Sequence, residues 1–299
     1  ADGYQYSDDL GDSFSGLDYL DSGVGFLPRV GPGGELYIAY WDYFDGVMLV
    51  RSLDGGATFG APIRIATRLD TEFFDDPVQL PGTYRAFALA ALAVDPVGGA
   101  LYTVWFDTTS IAGYEYDVDL YLATSTDQGA TWSPPMLLDL GPGDQFFPWL
   151  EVDDAGRLHL LYYDTGATVQ SDADSNGFLD AAFAVSDDGG QTWLRARLTP
   201  ASFGSTITDF GNGQFIGDYQ GIAVAGDRAI PVYMGEDAGR HYLVMEYVAG
   251  PDLKALIRDQ GPLDPASAVE MCVQIASAVG KAHDQGIEIF FYNIHPVDK

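Results

Sequence analysis

The sequence predicts an all-β fold assembled from repeated antiparallel units, and three observations carry that expectation. An eight-residue turn recurs at Ser7-Asp-Asp-Leu-Gly-Asp-Ser-Phe14, Ser52-Leu-Asp-Gly-Gly-Ala-Thr-Phe59, Ser125-Thr-Asp-Gln-Gly-Ala-Thr-Trp132 and Ser186-Asp-Asp-Gly-Gly-Gln-Thr-Trp193. Runs of β-branched and aromatic residues flank the copies and are broken by Gly, Asp and Pro, which is strand–turn–strand chemistry. The composition, with 36 Gly, 18 Tyr and 17 Phe in 299 residues, suits a turn-rich β protein.

The repeated turn, Ser-x-Asp-x-Gly-x-Thr/Ser-aromatic, has a readable physics. Asp54, Asp127 and Asp188 can accept hydrogen bonds from N–H groups of their own turns, with Ser and Thr hydroxyls assisting. Gly56, Gly129 and Gly190 supply positive φ, and the closing Phe or Trp offers apolar surface to pack beneath the hairpin.

The strands follow in the same order around three of the turns. The first set runs Leu36–Asp42, Val47–Ser52 and Ala61–Ala66; the second Ala91–Asp95, Leu101–Asp107 and Val118–Ser125; the third Leu150–Asp153, Leu158–Asp164 and Leu179–Ser186. With four strands per unit, each set reads as a propeller blade. The turn is an Asp box, and the array over residues 1–240 resembles the sialidase-like (BNR-repeat) β-propellers. Residues 3–20 supply only the two outer strands of a blade, and residues 215–235 only the two inner ones. Joining those ends would close four blades. The resembled family usually has six, so a partial array of four to six blades is expected.

The formal charge of −30 argues against nucleic acid or an anionic membrane surface as partner. No apolar run approaches the roughly 20 residues that span a bilayer. Residue 1 begins no signal peptide, so a targeting segment is expected to be removed or absent; the resemblance implies an extracellular or periplasmic, monomeric protein. A single cysteine, Cys272, excludes an intrachain disulfide.

Composition changes near Arg240. Residues 1–253 contain no lysine, whereas Lys254, Lys281 and Lys299 fall in the last 46 residues. After the strand-like His241–Val248, Asp264 and Pro265 open a helical pattern through Val269, Cys272, Ile275, Ala276, Val279 and Ala282. Residues 241–287 resemble the hinge-to-helix-E part of a bacterial Ser/Thr protein kinase, including Met245-Glu-Tyr-Val248 and Ala282-His-Asp-Gln-Gly-Ile287. The expected organisation is therefore a propeller over 1–240 and a mostly helical kinase-like fragment over 241–299. Phosphoryl transfer needs a Gly-rich loop, a paired lysine and catalytic and metal-binding aspartates. The first three have no counterpart, and His295-Pro-Val-Asp-Lys299 departs from the catalytic-loop pattern, so ATP binding is not expected.

Asp172-Ala-Asp-Ser-Asn-Gly-Phe-Leu-Asp180 carries the strongest site pattern. Side-chain oxygens of Asp172, Asp174, Asn176 and Asp180 with the Phe178 carbonyl would form the hard-oxygen cage calcium requires. A structural calcium is expected there, against the competing reading of an acidic solvated hairpin. A second recurrence ends the second strand of each unit: Trp41-Asp42, Trp105-Phe-Asp107 and Tyr163-Asp164. Strand alternation puts these on the face opposite the Asp boxes, together with Arg85, Asp144, Trp149, Asp218 and Tyr219 at the starts of inner strands. The resemblance implies that this face carries the ligand site. Aromatic planes beside carboxylates suit carbohydrate, although the same pairs could equally cap strands and fill the space between blades. Sialidase chemistry would need three arginines holding a carboxylate, a tyrosine nucleophile with a glutamate partner, and an acid/base aspartate. The sequence offers Arg85, Asp144, Asp218 and Tyr219 as catalytic candidates and no good match to the first arginine. Three readings stay open: a calcium-stabilised module binding glycan or protein, a glycoside hydrolase of the same fold, and a kinase-linked signalling protein.

Overall fold

The computed structural model describes residues 3–7, 12–20, 22–42, 44–67, 78–79, 85–86, 89–112, 115–166, 178–204, 216–217, 219–226, 228–237 and 240–244. Every regular element among them is a strand. The strands are β1 (Gly3–Tyr4), β2 (Asp18–Tyr19), β3 (Val24–Val30), β4 (Leu36–Asp42), β5 (Gly46–Ser52), β6 (Ile63–Ala66), β7 (Val78–Gln79), β8 (Arg85–Ala86), β9 (Ala91–Val94) and β10 (Leu101–Ala112). They continue as β11 (Glu115–Ser125), β12 (Met136–Leu137), β13 (Gln145–Val152), β14 (Leu158–Asp164), β15 (Asp180–Ser186), β16 (Leu194–Arg197), β17 (Gly221–Ala225), β18 (Arg228–Asp237) and β19 (Arg240–Val244).

Four antiparallel sheets follow one another along the chain: β3–β6, β9–β12, β13–β16 and the three-stranded β17–β19. Each is a meander in sequence order, and the first strands of successive sheets are neighbours: β3 lies by β9, β9 by β13 and β13 by β17. The order of strands within the second and third sheets follows the repeat, and β3, β9, β13 and β17 are the strands at which successive sheets meet.

Burial is deepest in the second strands, β4 and β14 among them. In β14, Leu158 to Tyr163 are all buried, so its sequence reads as a continuous apolar run instead of alternating. Both faces of such a strand are covered by neighbouring sheets. The outer β16 is exposed at every position. One apolar layer, including Phe106, Leu120, Leu122, Leu158 and Leu160, joins the second, third and fourth sheets, and a second, including Trp41, Leu49, Leu92 and Trp105, joins the first and second. Each fully buried Leu or Phe contributes about 1.5–3 kcal/mol.

Three copies of the repeated turn have nearly superimposable bonding. Ser52 Oγ donates to Asp54 Oδ1 at 2.7 Å and accepts from Gly56 N at 2.8 Å, while Thr58 gives its N–H at 2.9 Å and its hydroxyl at 2.6 Å to the Asp54 carboxylate. Asp127 and Asp188 take the same donors from Ser125 and Thr131, and from Ser186 and Thr192. Led by the Thr hydroxyl, these bonds hold the carboxyls of Asp54, Asp127 and Asp188 at about 2, below the usual 3.8. In the first copy, Asp9 and Gly11 lie outside the described residues.

The turn's glycine is a spacer between sheets. A Cβ on Gly129 would stand 2.5 Å from Leu49 Cδ2 of the preceding sheet and 3.1 Å from Leu101 of its own. On Gly190 it would stand 2.2 Å from Leu122 Cδ2 and 3.5 Å from Leu158. Leu49 and Leu122 occupy equivalent positions on β5 and β11, so one contact is used twice.

Two compact units divide the chain, Ala1–Glu246 and Tyr247–Lys299, and all described residues belong to the first. β19 pairs with β18 from Tyr233↔Val244 to Asp237↔Arg240, so the first residues of the kinase-resembling stretch supply the third strand of the last sheet. β1 and β2 pair with each other as a two-residue ladder. The helical pattern over 265–285 lies outside the described residues.

Two outcomes test the role of the turn. Gly190→Ala is expected to unfold more easily than Gly189→Ala, where φ is also positive but the space is open, by about 1–3 kcal/mol in urea melts. A carboxyl depressed in the folded state stabilises above its unfolded pKa and loses that contribution as pH falls through the folded value. The melting-temperature gap between wild type and Asp188→Asn should therefore be full at pH 5–6 and close between about pH 4 and about 2.

Candidate functional site

Antiparallel alternation puts the repeated turns on one face together with the turns between first and second strands. Gln128 in the third copy of the turn accordingly donates to Glu35, in the β3–β4 turn, at 2.7 Å. The opposite face holds the starts of the inner strands. There a cavity of about 310 Å³ is lined by residues 25–27 of β3, 89–91 leading into β9, 147–149 of β13 and 219–220 ahead of β17. All four inner strands or their leads thus meet at one hollow.

Two β-bulges shape its walls. On β3, register passes from Val24↔Trp41 to Leu27↔Ala39, leaving two residues opposite Tyr40. On β13 it passes from Phe146↔Tyr163 to Trp149↔Leu161, leaving two opposite Tyr162. The bulges are equivalent, and the first residue of each has positive φ: Gly25 at 69° and Phe147 at 49°. Glycine takes that conformation freely, whereas in a phenylalanine it costs about 1–2 kcal/mol. Phe147 is held by its ring, edge-on to Phe106 at 5.9 Å and against Phe146 at 5.3 Å, and by Gln220 Nε2, which donates to its carbonyl. Gly25 has a second constraint, since a Cβ would stand 2.6 Å from Leu89 Cδ2.

Equivalent bulges make Leu27 correspond to Trp149 and Arg29 to Glu151. The Arg29 guanidinium donates to Glu151 Oε1 at 2.8 Å and lies over the Trp149 ring with its carbon 5.3 Å from the centroid. Trp149 Nε1 donates to the same carboxylate oxygen at 3.1 Å. This trio links β3 to β13, skipping the intervening β9, two residues further along the strands than the cavity wall. Burial pushes the Glu151 carboxyl up, with Arg29 and the Trp149 N–H opposing. Arg29 Nε is buried without a hydrogen-bond partner among the described residues.

The structure brings together at this cavity two of the expected site residues, Trp149 and Tyr219, the latter 69% exposed. Asp144 is buried instead: its Oδ1 accepts from Val118 N at 2.8 Å, its N–H bonds Thr165 Oγ1, and it ties the third sheet to the second. Arg85 lies in β8, with its side chain outside the described set, and Asp218 lies outside the described residues.

The expected aromatic platform does not form from the second-strand rings. Trp41 and Trp105 are 4% and 2% exposed and pack in the apolar layer between the first two sheets, because strands covered on both faces have no open side. Tyr163 is also buried; its hydroxyl donates to Met234 O and accepts from Met234 N, both at 3.0 Å, clasping the fourth sheet. Asp42 caps the following turn by accepting from Phe44 N and Asp45 N at 2.8 Å. Asp164 accepts from Gly166 N at 2.6 Å, and burial, foremost, pushes its carboxyl above the ordinary carboxylate value. Asp107 is buried opposite Asp119.

Of the calcium ligand set, Asp172, Asp174 and Asn176 lie outside the described residues. Phe178 is half-exposed, and Asp180 is already engaged by its own chain. Arg197 ion-pairs with it at 2.7 Å, and Thr199 and Ser202 hydroxyls donate at 2.8 and 3.2 Å. Asp180 is thus tied to β16 and the loop that follows it. No cluster of three metal-ligating side chains occurs among the described residues.

Sequence reasoning missed β3 as the inner strand of its unit, and with it Arg29 and the bulge at Gly25. The available signal was the apolar run Gly23-Val-Gly-Phe-Leu-Pro-Arg29 ahead of Leu36, which aligns with Gln145–Glu151 once the paired strands are superimposed.

No protein-family model matches the chain. Among curated proteins, the serine/threonine-protein kinase PrkC of Bacillus subtilis is 44% identical over 54 residues, 18% of this chain and 8% of that protein. PknE of Mycobacterium tuberculosis is 43% identical over 58 residues, 19% of this chain and 10% of that one. The chain thus spans about a tenth of the curated relatives it matches. Among solved structures, the Hadza microbial sialidase Hz136 is 16% identical with TM-score 0.48, covering 74% of this chain and 44% of that one. A Trypanosoma rangeli sialidase is 12% identical with TM-score 0.46, covering 81% and 38%. A Dyadobacter fermentans protein of unknown function is 14% identical with TM-score 0.48, covering 83% and 72%. No helix among the described residues is long and apolar enough to cross a membrane.

Proposed function

We propose that residues 1–244 form an exported propeller module of the sialidase-like type that binds carbohydrate at the cavity between its inner strands, without a complete sialidase apparatus. The observation that carries this reading is the cavity itself, walled by Phe26, Phe147, Trp149 and Tyr219 where four sheets converge. Aromatic planes with a few polar atoms suit the C–H faces of a sugar ring, and the built-in bulges re-aim the strands that carry them. A hydrolase reading is less supported, since Asp144 is committed to Val118 N and is not offered to the cavity. The kinase-like segment is read as an appendage whose first residues complete a sheet, and no nucleotide site is assigned to it.

Binding should fall about tenfold or more in Trp149→Ala and in Tyr219→Ala, about 1.4 kcal/mol each, when a neutral oligosaccharide panel is titrated by calorimetry. Full retention in both variants would sink the reading.

The calcium role of the 172–180 segment is proposed on ligand spacing alone. If it holds, calcium raises the melting temperature of chelated protein, and Arg197→Gln, which frees Asp180, enlarges that rise. An unchanged melting temperature in both proteins removes the assignment.

A further inference from the structure

We propose that the cavity selects an uncharged saccharide, and that Glu151 sets this selectivity by holding Arg29 neutralised beside it. This rests on the carbohydrate reading above and deepens it. Arg29 is the one basic residue on the described inner strands, two residues from the cavity wall, and without a partner its charge would favour carboxylate or sulfate groups near the cavity. Glu151 cancels that charge at 2.8 Å, and its bond from Trp149 fixes the same carboxylate from the cavity side. The Trp149 ring then separates the pair from the hollow, with the guanidinium against it at 5.3 Å. No charged side chain lines the described wall, whose polar groups are those of Trp149, Tyr219 and Gln220. A carboxylated sugar would lose hydration there and find no cation on the described wall to compensate it, whereas a neutral ring loses little.

The equivalence of positions 29 and 151 sharpens the point. The same position on two sheets carries opposite charges that meet, so a change at either one leaves the other's charge uncompensated behind the Trp149 ring. Of the two, only loss of Glu151 leaves a cation beside the cavity to attract an anion.

The test compares lactose with sialyllactose, and cellobiose with its uronic acid, by calorimetry and ligand-observed NMR on the full chain. Wild type is expected to bind the neutral member of each pair at least tenfold more tightly. Glu151→Gln, isosteric and able to keep the Trp149 bond, is expected to gain at least tenfold for the anionic member in a salt-sensitive way. The double variant R29Q/E151Q should lose that gain, which separates released charge from altered packing. Equal wild-type affinity for the two members, or an unchanged ratio in folded Glu151→Gln, overturns the selectivity proposal and leaves carbohydrate binding standing. Absence of binding to every sugar in wild type and variants overturns both.

Discussion

The packing of one glycine against one leucine determines how this protein is put together. Gly129 and Gly190 sit where a Cβ would collide with Leu49 and Leu122 of the preceding sheet. That contact brings the end of each outer hairpin onto its neighbour, and the bonds from Ser and Thr to the turn's aspartate keep the glycine at that position and at positive φ. Arg51 reinforces the same seam by reaching from β5 to the carbonyl oxygens of Asp127 and Gln128. Sheets fixed at this spacing on the outside can converge on the inside, where β3, β9 and β13 lie side by side.

Convergence decides which residues are available for function. The second strands are covered on both faces, so Trp41, Trp105 and Tyr163 become packing groups and Asp42 and Asp164 become caps, while Asp144, just ahead of β13, becomes a tie to the second sheet. The open surface left is at the starts of the inner strands. There the ladder is interrupted by bulges at Gly25 and Phe147, and Phe147 keeps an unfavourable φ because Phe106, Phe146 and Gln220 hold it from three directions. Strain maintained by that much surrounding structure, at the rim of a cavity, is the kind found where side chains must be aimed.

Most of the sheet order was legible in the chain because the turn is written in residue types that admit little else: an aspartate for N–H groups, a glycine for positive φ, an aromatic to close. The faces were legible too, since alternation follows from the meander. Burial was not. An aromatic beside an aspartate at a strand end reads alike whether it meets solvent or another sheet, and only the spacing between sheets distinguishes the two. Arg29 was not legible for a related reason. Its partner Glu151 is 122 residues away and becomes a neighbour only when two bulges bring the same position of two sheets into one channel. The spacing that suggests calcium says nothing of Arg197, Thr199 and Ser202, which come from β16 and the loop after it to occupy Asp180.

The Arg29–Glu151 pair is hard to explain as a source of stability. Its side chains are 22% and 27% exposed, and partly solvated pairs of this kind contribute about 0–1 kcal/mol. Its burial is already enough to push the Glu151 carboxyl up despite the adjacent guanidinium. Two apolar residues in the same places would serve the fold as well. What apolar residues could not do is keep the tryptophan oriented by an N–H bond on one edge and a cation on its face, while presenting no net charge to the cavity. The pair therefore makes more sense as part of the ligand site than as part of the core, and it belongs to the same constraint that opened the channel.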